Sequence, residues 1–557
     1  MATMVRETRD RREGRVRAGG VVAGALALTA GVFAVAARLG FNPTDDGYIL
    51  AQSYRILQGQ VPHLDFISPR PVGSPIIHLL DFALPLPLIV ASRLVTTAEL
   101  VGTAVLVGWF VIGRSPARWR AWEGVAVAAS ALISIHGFPL MDWHTIDGLL
   151  LVALGYVLVQ YPRTTVAGFI ALGAALVVKQ SFFLAPLLGV AMVTARTAPA
   201  ARFATALRSI LLAAVPGALY VIVISAFGAF PSFVRQITGA RPIYGRDLIN
   251  EMLTGGDLAR LAVVVALLIA VVATDARPRG WIGTGLRVAL TAVVVGTALQ
   301  QHLQLYGTWA DQLEEIAGVV VLWHMWRRRR VDWPGIALVG TGWMVSLSWG
   351  YAVPNLIAGG LVLLAVIRIW DGHTIATQPG ALVSALVAVA VFAATAAVFV
   401  HTRRTDIYRD RPASQLTFPL SRIAPDFGSI RTNPETGAYL TDMKTCIREM
   451  PARRVAMLPN NAAMYPVLHL HDPLPLDWLW IDEIGGSDAQ ILSAARALDQ
   501  QGDYLVLFET QDASVVPIEG LQPGPAALAP DILGVLHGRQ SRCGPFIAVY
   551  SPPSAAR

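Results

Sequence analysis

Residues 380–400 read Gly380-Ala-Leu-Val-Ser-Ala-Leu-Val-Ala-Val-Ala-Val-Phe-Ala-Ala-Thr-Ala-Ala-Val-Phe-Val400, an uncharged apolar run. As a helix rising about 1.5 Å per residue it crosses a hydrocarbon core about 30 Å thick. Similar runs recur from Val21 onward and predict spans near 20–39, 93–113, 122–139, 146–161, 165–179, 182–195, 207–229, 258–274, 281–299, 313–326, 334–349, 353–370 and 380–400. The fold expected is a polytopic α-helical membrane protein of about 13 transmembrane helices. Composition agrees. The 557 residues are 54% hydrophobic and 15% charged, with mean hydropathy +0.53, whereas soluble domains have about 45–50% apolar and about 25% charged residues. A string of soluble domains is thereby excluded.

The charge pattern orients the chain. Net charge is +7 and the pI about 9.6, and nearly every basic residue is Arg; the two lysines are Lys179 and Lys444. With the Arg-rich N-terminus (Arg6, Arg9, Arg11, Arg12, Arg15, Arg17) in the cytoplasm, the inner loops carry Arg114, Arg118, Arg120, Arg196, Arg202, Arg208, Arg277, Arg279 and the run Arg327 to Arg330. About 21 basic and 7 acidic residues then lie inside, against about 9 and 13 outside. An odd number of spans sends residues 402–557 to the outer side. Residues 1–37 also resemble a signal peptide, with Ala34-Val35-Ala36 as a cleavage site, but the apolar stretch is long for that role and a retained helix is expected.

The tail, residues 402–557, holds about 14 basic and 17 acidic residues, so the basic excess belongs to the membrane part, and nucleic acid is excluded as a partner. Runs Val455–Leu458, Tyr504–Phe508 and Phe546–Tyr550 predict buried strands, and Ala489–Leu498 a helix, giving a C-terminal extracytoplasmic α/β domain. Cys446 and Cys543 would meet an oxidising compartment; their connectivity is forced if they bond, but their proximity is open. His469-Leu470-His471-Asp472 alternates as a surface strand would, and no spacing supplies a further metal ligand.

The first outer loop, residues 40–78, carries Asp45-Asp46, then Gly47–Leu57 with helical pattern, Gly59 to Pro62, and Arg70-Pro71. Thr44 or Asp45 is expected to cap the helix. Ile49, Ile56 and Leu57 would dip toward the membrane, with Gln52 and Arg55 nearer water. Two adjacent carboxylates beside a low-dielectric layer compete for ionisation, so one becomes a proton acceptor. A capping pair on a solvated helix start is the alternative.

This loop resembles the first periplasmic loop of GT-C membrane glycosyltransferases, in the branch of protein O-mannosyltransferases and lipid A aminoarabinose transferases. The family has an acidic pair, a surface helix, a Gly-x-x-x-Pro step, which is one residue longer than Gly59 to Pro62 here, and a Lys-Pro-Pro stretch. Here the second acid is Asp46, Arg70 stands for the Lys, and Pro71-Val72 for Pro-Pro. The likeness covers about 40 residues. It implies a bacterial inner (plasma) membrane enzyme that transfers a sugar from a polyprenyl-phosphate donor to an envelope polysaccharide, lipid or protein. A phosphate leaving group needs charge stabilisation, and the acceptor hydroxyl needs a base. The resemblance implies Asp45 or Asp46 as that base, with Arg70 and Lys179 on the donor phosphate.

Further substrate-binding candidates are Tyr48 and Arg55 in the loop, Asp142 and His144 in Met141–Gly148, Gln180 beside Lys179, and His302. Ordinary caps, snorkelling and polar loops compete with function at each. A divalent cation between carboxylates and phosphate stays open, because spacing does not decide it. P-loop, HExxH, Cys-x-x-Cys and GxSxG patterns are missing from the sequence. The rivals are a transporter or lipid-linked-glycan flippase, which predicts internal repeats, and a non-catalytic envelope assembly protein.

Overall fold

The computed structural model describes residues 2–136, 140–239, 258–275, 280–301, 309–347, 355–371, 378–479, 484, 486–509 and 528–553. Each of the thirteen expected spans falls on a helix: Ala2–Ala36, Leu88–Ile112, Ala121–His136, His144–Val159, Thr165–Val178, Leu184–Ala195, Arg202–Ala226, Leu258–Asp275, Gly280–Gln301, Trp309–Arg328, Trp333–Ser346, Ala358–Trp370 and Gln378–Thr405. Among the described residues, five segments are long and apolar enough to cross a bilayer: Gly19–Ala36, Leu88–Ile112, Pro199–Ala226, Trp281–Leu299 and Ala385–Thr405. The protein is therefore a multi-pass membrane protein. The other helices are shorter, and the bundle core gathers around Leu88–Ile112, Ala121–His136 and His144–Val159 through residues such as Leu100, Leu132, Leu149 and Tyr156.

After Thr405 the chain builds a small mixed sheet. Two short strands, β1 (Phe418–Pro419) and β2 (Arg431–Thr432), pair antiparallel. The main sheet comprises β3 (Arg454–Leu458), β4 (Tyr504–Glu509), β5 (Arg539–Cys543) and β6 (Phe546–Ser551), in the order β3-β4-β6-β5. The β3–β4 pair is parallel and the other two are antiparallel. Alternate residues serve opposite faces. Val455, Met457, Leu505 and Leu507 pack with Tyr439, Leu440 and Met443 of the helix Pro434–Glu449, while Ala456, Leu458, Val506 and Phe508 pack with Ile491, Ala495 and Leu498 of the helix Asp488–Gln501. Burial on both faces is why β3 and β4 are continuous apolar runs in the sequence. Cys446 and Cys543 are joined by a disulfide, with Cα atoms 5.9 Å apart, which ties the helix Pro434–Glu449 to the end of β5.

The tail sits on the first loop. Phe41, Leu50, Leu88 and Ile89 share a core with Leu420, Phe427 and Met464 of the tail. Gly47 marks one close approach, because a Cβ there would lie 2.5 Å from that of Ala463, and its φ of 83° favours glycine in any case. The helix Tyr48–Leu57 therefore differs from the surface helix expected. Gln52 and Arg55 are buried, and Leu57 is exposed. Arg55 is enclosed by the tail: Nε donates to Asp477 Oδ1 at 2.9 Å, and Nη2 donates to Asp472 Oδ2 at 2.6 Å and to the Leu474 carbonyl at 2.9 Å. The segment His469–Asp472 is no strand. His469 has φ 53° in a turn after the helix Met464–Val467, and Asp472 belongs to the Arg55 cluster.

Burial, helped by the charge of Asp477 and opposed by Arg55, pushes Asp472 up to about 7 from 3.8. Between those values the folded chain holds a proton the unfolded chain has released, so this group's stabilising contribution is full at low pH and falls as pH rises through the window. We expect Asp472→Asn to flatten that decline. We also expect Arg55→Ala to cost about 3–5 kcal/mol by leaving two buried carboxylates without their cation. Unfolding followed in detergent between pH 4 and 8 measures both, and an unchanged midpoint in Arg55→Ala contradicts the clamp.

Candidate functional site

The acidic pair lies in a turn ahead of the helix. Asn42 Oδ1 accepts the backbone N–H groups of Thr44 and Asp45, both at 2.9 Å, and Asp46 Oδ2 accepts the Asn42 N–H at 2.8 Å. The helix itself starts on Gly47 with no side-chain cap, so the cap expected from Thr44 or Asp45 does not form. Asn42 organises the turn instead.

Each carboxylate has its own arginine. Asp45 Oδ2 accepts from the Tyr408 hydroxyl and from Arg409 Nη1 at 2.9 Å. Asp46 receives Arg93 Nη2 at 3.2 Å, and Arg93 also donates at 2.8 Å to the carbonyls of Ala37 and Gly40. The competition anticipated between neighbouring acids is thus replaced by two separate ion pairs. Asp46 is locked into the turn and the start of the helix Leu88–Ile112. Asp45 faces Tyr408 and Arg409, which follow the last membrane helix. Beside Asp46, Arg93 and Tyr408 lies a cavity of about 30 Å³, close to the volume of one water molecule.

From this turn an aromatic path leads to a cationic group. Tyr48 stacks on Trp478, with centroids 3.9 Å apart, and Trp478 donates to the Thr44 carbonyl at 2.5 Å. The His144 ring is 6.2 Å from Tyr48 and lies in the field of Arg70, Lys179 and His78. Lys179 Nζ donates to Thr145 Oγ1 at 2.8 Å, and Gln180 Nε2 to the Pro69 carbonyl at 3.0 Å. Gly73 lets the loop reach this region, since a Cβ would lie 2.5 Å from the Val177 carbonyl oxygen. Tyr48, Arg70, His144, Lys179 and Gln180 are therefore neighbours. Arg55 is directed into the tail clamp, and His302 lies outside the described residues.

Asp142 belongs to a second constellation. Ser92 donates to its Oδ1 at 3.1 Å, while Oδ2 is buried without a hydrogen-bond partner. Burial, opposed by His78 and reinforced by Asp81, pushes Asp142 up to about 7. Close by, His78 bridges Asp81 Oδ2 at 2.8 Å and Asp147 Oδ1 at 3.3 Å, and Ser74 donates to Asp147. Burial alone would strip His78 of its proton, but Asp147 and Asp81 outweigh it and hold its pKa well above 6.5. The sequence reading missed His78 and Glu99. Glu99, an acid inside an apolar span, was the legible signal.

Ligand atoms of His78, Glu99 and Asp147 lie within 4.8 Å of one another, all buried. A metal would have to displace a ring proton, because both His78 nitrogens already face carboxylates. The arrangement fits a bridging imidazolium better than a cation site. No family model matches the chain, and no curated protein matches it. Among solved structures it is similar to the crystal structure of ArnT from Cupriavidus metallidurans in the apo state, with 14% identity and a TM-score of 0.44, covering 96% of this chain and 98% of that one.

If His78 is the cation of this buried cluster, His78→Ala strands several carboxylates and lowers stability by about 3–5 kcal/mol, read as a fall in the thermal midpoint. Treatment of the purified wild type with a chelator should leave that midpoint in place. A chelator-induced fall would assign the cluster to a metal instead.

Proposed function

We propose that the chain is a GT-C membrane glycosyltransferase that moves a sugar from a polyprenyl phosphate to an extracytoplasmic envelope acceptor. The observation that carries this reading is the composition of one loop. The loop carries Asp45, held by Arg409, together with Tyr48 and Arg70, and the His144 ring, 6.2 Å from Tyr48, lies in the field of Arg70 and Lys179. Its likeness to the GT-C first periplasmic loop supplies the reaction class.

In this mechanism the acceptor hydroxyl attacks the anomeric carbon while Asp45 takes its proton. The bond between that carbon and the phosphate oxygen breaks, and the electron pair leaves with the polyprenyl phosphate. Arg70 and Lys179 stabilise the charge that grows on the phosphate. Tyr408 and Arg409 orient Asp45, and Asp46 holds the turn through Arg93. Trp478 stacks on Tyr48 and holds the start of the helix Tyr48–Leu57 beside the acidic turn. Residues 1–401 form the transmembrane catalytic part, with the N-terminus cytoplasmic. Residues 402–557 form an extracytoplasmic domain that completes the site from above.

With purified protein in detergent and a panel of polyprenyl-phosphate sugars, Asp45→Asn should lower kcat by about 10²–10⁴-fold, the usual worth of a general base. Arg70→Ala and Lys179→Ala should each slow consumption of the donor. Full transfer by Asp45→Asn removes the base assignment, and a wild-type protein that consumes none of the donors removes the reaction class.

A further inference from the structure

At the other end of the bundle the helices surround a second polar space. Arg93, beside Asp46, and Phe110 both belong to the helix Leu88–Ile112, and the 17 steps from one to the other correspond to about 26 Å at 1.5 Å per residue. There, Phe110, Arg114, Arg120, Arg196, Arg330 and Trp370 are among the residues around a cavity of about 730 Å³, within the usual range for small-molecule sites.

Its charges do not cancel. Five arginines and three carboxylates line it, and each carboxylate is taken. Glu123 pairs with Arg114, Asp332 with Arg368, and Asp371 with Arg328 and His324. Arg120, Arg196 and Arg330 come from three different connections and make no ion pair among the described residues. Arg114 Nε is buried with no hydrogen-bond partner. Converging like charges at the edge of a low-dielectric layer are unfavourable without a counter-anion. The walls also carry Trp122, Trp333 and Trp370 with Phe110 and Ile367, the aromatic and apolar surround of a membrane interface.

We propose that this cavity binds the phosphate of an anionic phospholipid headgroup, with the arginines on the phosphate and the acyl chains following the apolar helix faces. This assignment is independent of the transfer reaction. It differs in place from the donor phosphate site at Arg70 and Lys179.

Protein purified in a neutral detergent is titrated with short-chain phosphatidylglycerol, phosphatidylcholine of the same chain length, and free glycerol phosphate, and binding is read from tryptophan fluorescence and native mass spectrometry. Phosphatidylglycerol should bind at least about tenfold tighter than phosphatidylcholine, since one arginine near an anionic headgroup is worth about fivefold. The triple variant Arg120→Gln, Arg196→Gln, Arg330→Gln should lose that preference, and so in part should Arg196→Gln alone, an exposed position where folding is not at stake. Equal binding of the two lipids, or a preference that survives both variants, overturns the proposal. Free glycerol phosphate binding as tightly as phosphatidylglycerol overturns the assignment to a lipid.

Discussion

The buried guanidinium of Arg55 is the contact on which the docking of the tail onto the first loop depends. It holds Asp472 and Asp477 and two carbonyls of the same segment, and so fixes residues 472–477 over the first loop. Trp478 follows directly and is thereby set against Tyr48 and the Thr44 carbonyl. A buried ion pair adds little net stability against an apolar alternative, but it specifies one geometry when its partners come from distant parts of the chain. Here the partners are more than four hundred residues apart, and the geometry specified is that of the acidic turn.

The same logic recurs around the turn. Asp410 accepts the Phe41 N–H at 3.0 Å, the Thr432 hydroxyl at 2.8 Å and the Asn433 amide at 2.6 Å, joining the end of the first helix to the start of the tail. Tyr408 and Arg409, two residues earlier, reach Asp45. The segment after the last membrane helix is thus part of the candidate site. A carboxylate in such surroundings has its direction fixed in advance, as the general base proposed above requires.

Much of the fold was legible because its signals are local. Apolar runs anticipated the helices of the bundle among the described residues, and three buried runs located β3, β4 and β6. The strand β5, Arg-Gln-Ser-Arg-Cys, is polar and mostly exposed, so hydrophobic pattern could not find it. The helix Pro434–Glu449 went unanticipated although its start carried a signal: Asn433, which accepts the Thr436 N–H as N-cap, is followed by Pro434 and Glu435. The candidate site was legible in its loop and at His144, Lys179 and Gln180. Tyr408, Arg409, Trp478 and His78 matter through long-range contacts that no local pattern encodes. The inversion of Arg55 from water-facing to buried follows from a domain whose docking the sequence does not reveal.

The central claim is that Asp45 and the Arg70–Lys179 group act on the same polyprenyl-phosphate sugar. A structure of the protein with a non-hydrolysable polyprenyl-phosphate sugar tests it most directly. The phosphate should lie within hydrogen-bond distance of Arg70 and Lys179, with the anomeric carbon open on the side of Asp45. A phosphate bound away from both cations, or an anomeric carbon shielded from Asp45, would contradict it.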